Sequence, residues 1–326
     1  MRNKILVMLL VFALVFTTAA CGSKPASNDA SDQETKERTF AVVFPIVHPF
    51  FEPIGVAAED YGKELGIKVI TKAPDKSDAQ QQIEIMENLI AMKVDGIAIG
   101  PTDTSALVPT INKAVEAGIK VICFESDAPD SNKAAFIGTN NYNAGRHMGA
   151  VITEKLGGEG KILILTGLPT QLSLNERIRG IKEYLAEKSP NIVIADTQSS
   201  EGDPQKAVTA AENMMQANQD FKAMIGIDAT AGPAMISVWK AKGWQNSTDQ
   251  MIITFDDMAD NLQGLRDGYV TGIVSQRQNS WGKSVIDMLN DLCDGKSVES
   301  YVDTGTIEIT QANIDTYLDE PSYVEQ

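Results

Sequence analysis

Cysteine is scarce in this chain. Three occur in 326 residues, Cys21, Cys123 and Cys293, and their spacing builds neither a disulfide framework nor a zinc site. Cys123 sits in an apolar run and Cys293 on a late helix, so both read as inert packing residues, and no metal or cofactor is expected. Positive charge is also short: 28 Lys and Arg stand against 44 Asp and Glu, a net charge of −16. Such a body repels phosphate backbones and anionic headgroups, which excludes nucleic acid and direct membrane-surface binding and favours a neutral or cationic ligand. Nor is there a long hydrophobic run. The apolar stretch Ile5 to Phe16 has 12 residues, whereas a spanning helix needs roughly 20.

What stands at the N-terminus is a leader. Arg2 and Lys4 precede the apolar run, and Thr18-Ala19-Ala20 supplies small residues before Cys21, the pattern of a secretory signal. Residues 1–20 are therefore expected to be removed. Cys21-Gly22-Ser23 resembles a lipobox, where bacterial lipoproteins are lipidated on cysteine, although Thr18 stands where Leu is usual. Gly22 to Arg38 carries polar residues and almost nothing apolar, so 21–38 reads as a lipidated cysteine and a flexible tether. The expected location is extracytoplasmic, lipid-anchored to the outer face of the cell membrane.

Beyond the tether, enough chain remains for one large or two ordinary domains. Short β-rich runs alternate with longer helical patterns, as in parallel sheets covered by helices. Strands are expected at 40–44, 68–71, 96–100 and 120–124, with helices at 51–65, 79–92 and 104–117. A second set has helices at 142–156, 174–188, 204–217, 232–242 and 259–267, alternating with strands at 161–165, 192–196, 223–227, 251–255 and 270–275. A helix at 281–292 and a short helix at 312–318 follow. The fold class is α/β, with two Rossmann-like lobes.

In open α/β sheets the ligand lies outside the carboxyl ends of the strands, so polar residues just after strands carry the most weight. These are His48, then Thr102 and Asp103, then Glu125, Ser126 and Asp127. The second set contributes Asp228, Asp256, Asp257, Gln276 and Arg277.

At these residues the chain resembles the periplasmic sugar-binding proteins of ABC transporters, from about Phe40 to Leu318. The markers are Val47-His48-Pro49-Phe50-Phe51, Gly100-Pro101-Thr102-Asp103, Ser126 to Ser131, Phe136 to Asn141, Asn175 to Gly180, Thr254-Phe255-Asp256, Ser275-Gln276-Arg277 and Val302 to Gly305. The resemblance implies two lobes of the type I periplasmic binding protein fold joined by three crossing segments near Thr139, Gln276 and Gly305. The N-terminal lobe would be 39–139 plus 277–305, and the C-terminal lobe 140–276 plus 306–326. It further implies a monomeric protein that closes on one sugar and hands it to a permease. The ligand-binding set so implied is His48, Phe50, Phe51, Glu125, Ser126, Asp127, Arg177, Asp228, Asp256 and Gln276. Three positions depart from the family: Gly100 replaces an Asn, Glu125 replaces an Asp, and Gly202 lies near an aromatic position, which moves a second stacking ring to Trp281 or Trp239.

Those residue types suit a sugar. Phenylalanine rings cover C–H faces, while Asp, Glu and Arg read hydroxyls at the rim through charge-assisted bonds roughly twice as strong as neutral ones. Glu125 with Asp256 could also serve as a glycosidase pair, but no catalytic residue is assigned. Gly157 to Lys161 lacks the spacing and the following Ser or Thr of a phosphate loop. A gene regulator of the same architecture would need a basic helix-turn-helix where this chain has an export signal. A sensory binder presenting its ligand to a chemoreceptor or kinase fits the sequence as a transport component does.

Overall fold

The computed structural model describes residues 37–323. The leader, Cys21 and most of the tether lie outside the described residues. The chain alternates throughout: β1 (Thr39–Val43), α1 (Glu52–Leu65), β2 (Lys68–Lys72), α2 (Ala79–Met92), β3 (Gly96–Ile99), α3 (Thr104–Glu116), β4 (Lys120–Phe124) and β5 (Ala135–Gly138). It continues through α4 (Asn141–Leu156), β6 (Glu159–Thr166), α5 (Leu172–Lys188), β7 (Asn191–Ser199), α6 (Pro204–Ala217), β8 (Ala223–Gly226), α7 (Ala231–Lys242), β9 (Met251–Phe255) and α8 (Ala259–Arg266). Last come β10 (Gly272–Gln276), α9 (Trp281–Cys293), β11 (Tyr301–Asp303) and β12 (Thr306–Ile309).

Two six-stranded sheets result, in the orders β11-β5-β4-β3-β1-β2 and β12-β10-β9-β8-β6-β7. All pairings between these strands are parallel except β10 with β12. Helices cover both faces, so the central strands β3, β4 and β8 are apolar runs buried on both sides, apart from Lys120 at the start of β4. The edge strands β2 and β7 are far more exposed. Local chemistry sets the helix ends: Asp78, Asp103 and Asp203 accept backbone N–H bonds at the starts of α2, α3 and α6. Gly66 closes α1 in the left-handed conformation expected of a C-cap.

Several elements differ from the sequence expectation. β5, β11 and β12 are strands of four, three and four residues, too short to show periodicity. The helix expected at 312–318 is a series of turns ending in a 3₁₀ turn, Tyr317–Asp319. Asn313 prevents a regular helix there, because its Oδ1 accepts from the Thr310 N–H at 2.8 Å and its Nδ2 donates to the Glu308 carbonyl at 2.9 Å. The first helix, expected from residue 51, starts at Glu52, with Phe51 at the N-cap and Pro53 in its first turn.

The chain passes from one sheet to the other after β5, after β10 and after β11. These crossings are tied together. Asp303 Oδ1 accepts from the N–H groups of Asn140 and Gly305, both at 2.8 Å, and the Thr304 N–H donates to the Gly138 carbonyl at 2.8 Å. Arg277 reaches from the second crossing to the carbonyls of Tyr317, Leu318 and Glu320.

Candidate functional site

The carboxyl ends of the two sheets face one cavity of about 530 Å³, counting its open mouth. His48, Phe50, Phe51, Glu125, Arg177, Asp228, Asp256 and Gln276 all line it. Ser126 and Asp127 do not. The Ser126 hydroxyl accepts from the Ser173 N–H at 3.3 Å, whereas Asp127 pairs with Lys133 at 3.0 Å and accepts from the Ala128 N–H at 2.7 Å. Ser126 thus meets the start of α5 and Asp127 holds the loop after β4, uses other than lining the cavity.

Glu125 and Asp256 stand at equivalent places, just after the fourth strand of each set. Both adopt positive φ, 63° and 70°, in the left-handed region few residues other than Gly, Asn and Asp enter. An asparagine supports each turn: Asn141 Nδ2 donates to the carbonyls of Thr139 (2.9 Å) and Glu125 (3.3 Å), and Asn261 Nδ2 to those of Asp256 (2.9 Å) and Phe255 (3.1 Å).

The Glu125 carboxylate bridges the sheets. It is 4% exposed and accepts from Gln171 Nε2 at 2.8 Å and Ser173 Oγ at 3.1 Å, both from the second set of elements. Burial pushes its pKa up to about 7, with Arg177 and the two hydrogen bonds opposing the rise and Asp256 adding to it. Burial also raises Asp256, to about 6, against the pull of Arg177 and of Gln276, whose Nε2 donates to Asp256 Oδ1 at 2.8 Å. Asp228 is raised for the same first reason, burial.

Arg177 is the cation among these acids and is 1% exposed. Its Nε donates to Asn141 Oδ1 at 2.8 Å and its Nη1 to the Ile227 carbonyl at 2.9 Å, and the guanidinium lies 4.5 Å from the Phe255 ring centroid. Its Nη2, together with Asp228 Oδ1 and Gln276 Oε1, has no hydrogen-bond partner among the described residues. Unsatisfied buried polar atoms are rare, and these belong to side chains that all line the cavity.

The rings serve two purposes. Phe50 and Phe51 line the cavity and also belong to the core, with centroids of Phe51 and Phe44 5.2 Å apart and Phe50 edge-on to Trp281 at 6.2 Å. Trp281 and Trp239, considered as a second stacking ring, are fully buried elsewhere. Trp281 Nε1 donates to Thr304 Oγ1 at 3.1 Å, and Trp239 Nε1 to the Gln250 carbonyl at 3.0 Å. His48 accepts the Phe50 N–H on Nδ1 at 3.2 Å, and burial lowers its pKa.

Sequence reasoning missed four contributors. Gln171 and Ser173 follow β6 only after the intervening Gly167 to Thr170, beyond the positions immediately after a strand. Asn141 was read as part of a marker rather than as a support. Gln82, fully buried on α2, donates to the carbonyls of Phe44 (3.0 Å) and Gly100 (2.8 Å) and accepts from the Thr102 N–H (2.9 Å), bracing strand ends beneath the site. A glutamine amid the apolar face of a helix was its signal. Asp103 caps α3, and Asp257 accepts from Gln278 and from the Tyr317 hydroxyl.

Residues 40–297 match the model of the periplasmic binding protein domain. The chain belongs to this family. Among solved members, an ABC transporter solute binding protein from Burkholderia graminis C4D1M in complex with D-arabinose is 32% identical, with a TM-score of 0.83 over 86% of this chain and 98% of that one. Another, from Agrobacterium vitis with bound D-fucose, is 28% identical at a TM-score of 0.82, covering 87% and 100%. The ribose import binding protein of Bacillus subtilis (strain 168) is 26% identical over 244 residues, 75% of this chain and 77% of its own length. Periplasmic binding proteins of this family share the two-sheet α/β architecture found here. No helix among the described residues is long and apolar enough to cross a membrane.

Proposed function

We propose that the protein is an extracytoplasmic solute-binding protein that captures a monosaccharide, a pyranose hexose or a pentose, between two lobes and delivers it to an ABC permease. One observation carries this reading: charged donors and acceptors from both sheets meet at one cavity that also presents the Phe50 and Phe51 rings. The arabinose, fucose and ribose named for the similar proteins support it. The lobes proposed are 39–139 plus 277–305 and 140–276 plus 306–326. They act as one monomer that binds without catalysis and is held to the membrane through lipid on Cys21. His48, Glu125, Arg177, Asp228, Asp256 and Gln276 would bond the hydroxyls.

Closure would be driven by contacts to both lobes that only the closed form makes. The test is a thermal-shift screen of the full chain against pentoses and hexoses, followed by small-angle scattering with the best hit. A ligand at a hundredfold excess over Kd stabilises by about 2.7 kcal/mol. The expected result is a clear rise in Tm with compaction of the particle. No shift with any monosaccharide overturns the proposal.

A further inference from the structure

Two Asp–Gln pairs lie side by side where the loop after β9 meets the second crossing. Gln276 Nε2 donates to Asp256 Oδ1 at 2.8 Å, and the next acid, Asp257, accepts from Gln278 Nε2 on Oδ1. The first pair lines the cavity, whereas Asp257 and Gln278 are not among the residues that do. Gln278 is buried, and its Oε1 has no partner among the described residues, so Asp257 is what holds its amide. Asp257 has another partner on the far side: the Tyr317 hydroxyl donates to its Oδ2 at 2.7 Å. That ring is only 9% exposed.

Tyr317 is itself pinned. Arg277, between the two glutamines, donates to the carbonyls of Tyr317 (3.2 Å), Leu318 (3.3 Å) and Glu320 and to Ser322 Oγ (3.1 Å). Tyr323 then pairs with Thr306, just past the third crossing: its N–H donates to the Thr306 carbonyl at 2.6 Å, and its ring stacks on His147 with centroids 4.0 Å apart. The segment 317–323 is therefore fixed to both later crossings. One peptide link separates Asp257 from Asp256, whose own N–H is held by the Val274 carbonyl at 3.0 Å. A displacement of Asp257 passes directly to its neighbour, and binding groups must be held within about 0.5 Å of their working geometry by the residues around them.

We propose that Tyr317 is a positioning residue for the binding site: by holding Asp257 against Gln278 from outside the cavity, it sets the spacing of the Asp256–Gln276 pair that meets the sugar. This rests on the solute-binding function proposed above and adds a residue that touches no ligand. The charged groups around Asp256 are Arg177 on α5, Asp228 after β8, Asp257 beside it and Glu125 after β4. Arg277 and Arg266 on α8 act on Tyr317.

The experiment uses Tyr317→Phe in the full chain, which deletes the hydroxyl and keeps the ring. In ligand-free protein, carboxyl NMR should show Asp256 titrating above its value of about 6, because the Gln276 bond that holds it down is loosened, and the Gln276 side-chain amide resonances should move. In a Gln276→Ala background the same substitution should shift Asp256 no further. Calorimetry with D-ribose, D-xylose, D-glucose and D-galactose should show the sugar that binds wild type weakened about three- to tenfold, the loss expected of one hydrogen bond. Asp257→Asn breaks the clamp from its other side and should weaken the same sugar comparably. An unmoved Asp256 titration in Tyr317→Phe, or wild-type affinity in that variant, overturns the inference even if Tm falls, since a merely structural role predicts a change in Tm alone. An equal Asp256 shift with and without Gln276 overturns it too, by showing an influence through charge and not through position. If none of the four sugars binds, the monosaccharide screen above judges the function, and the ligand-free titration alone decides the role of Tyr317.

Discussion

Gln171 Nε2 donates to Glu125 Oε2 across 2.8 Å, from the segment before α5 to the end of β4, so a neutral amide of one sheet grips an acid of the other. Ser173 adds a second bond to the same carboxylate. Both bonds favour the ionised form, and both depend on the two sheets staying close.

Removing that grip should be felt in stability and in titration together. In Gln171→Ala the buried Glu125 Oε2 loses its donor, and the expected loss is about 1–3 kcal/mol. The Glu125 pKa should rise above about 7, because a bond that lowered it is gone. Denaturant unfolding and carboxyl NMR titration test the two parts, and an unmoved titration would show that Gln171 does not touch the acid in solution.

Glu125 and Asp256 set a pH slope. Their folded pKa values lie above the ordinary 4.5 and 3.8, at about 7 and about 6. The folded chain therefore holds protons that the unfolded chain has released, and this contribution to stability is present at low pH and lost as pH rises through the folded values. Ligand-free protein should gain Tm when taken from pH 8 to pH 5.5, and Glu125→Gln should flatten that gain. Ligand affinity should run the other way, rising as these acids ionise to accept hydroxyl hydrogens.

Arg177 should resist conservative replacement. Its planar fork spans Asn141 and the Ile227 carbonyl over the Phe255 ring, and a lysine offers a point charge without that geometry. Arg177→Lys is expected to weaken sugar binding at least tenfold, and Arg177→Ala to cost about 3–5 kcal/mol by leaving buried carboxylates unbalanced. Binding of Arg177→Lys at wild-type affinity would refute its role in the site.

The packing that seats Arg177 can be tested from outside the cavity. Helices α4 and α5 meet so closely that a Cβ on Gly145 would fall 2.1 Å from the Arg177 carbonyl oxygen, and one on Gly180 the same distance from the Tyr142 carbonyl. Both obstacles are backbone, so Gly145→Ala should force the helices apart at a cost of about 1–3 kcal/mol. Thermal unfolding measures that cost. Weakened ligand binding is expected as well, because α5 carries Arg177.

Much of this was legible in the chain. Short β-rich runs alternating with longer helical patterns announced the α/β fold, and polar residues just after strands located Glu125, Asp228, Asp256 and Gln276. What escaped was non-local. Gln171 and Ser173 gain meaning only because α5 brings them against the end of β4, whereas Ser126 is taken up by the Ser173 N–H of α5 and Asp127 by bonds within the loop after β4. The three-residue strand β11 is defined by its pairing with β5, not by its composition. Asn313 redirected a segment whose propensities suggested a helix.

The left-handed turns at Glu125 and Asp256 restrict how the binding preference of this protein could be rebuilt. Library positions 125 and 256 can exchange among Asp, Asn, Glu, Gln and Gly, which keeps the bend and alters only reach and charge. Valine, isoleucine or threonine there would meet a conformational toll of about 1–2 kcal/mol or more from the main chain itself. New ligand tastes are therefore more readily sought at Asp228, Gln171 and the rings, where side-chain shape can vary without bending the strand ends.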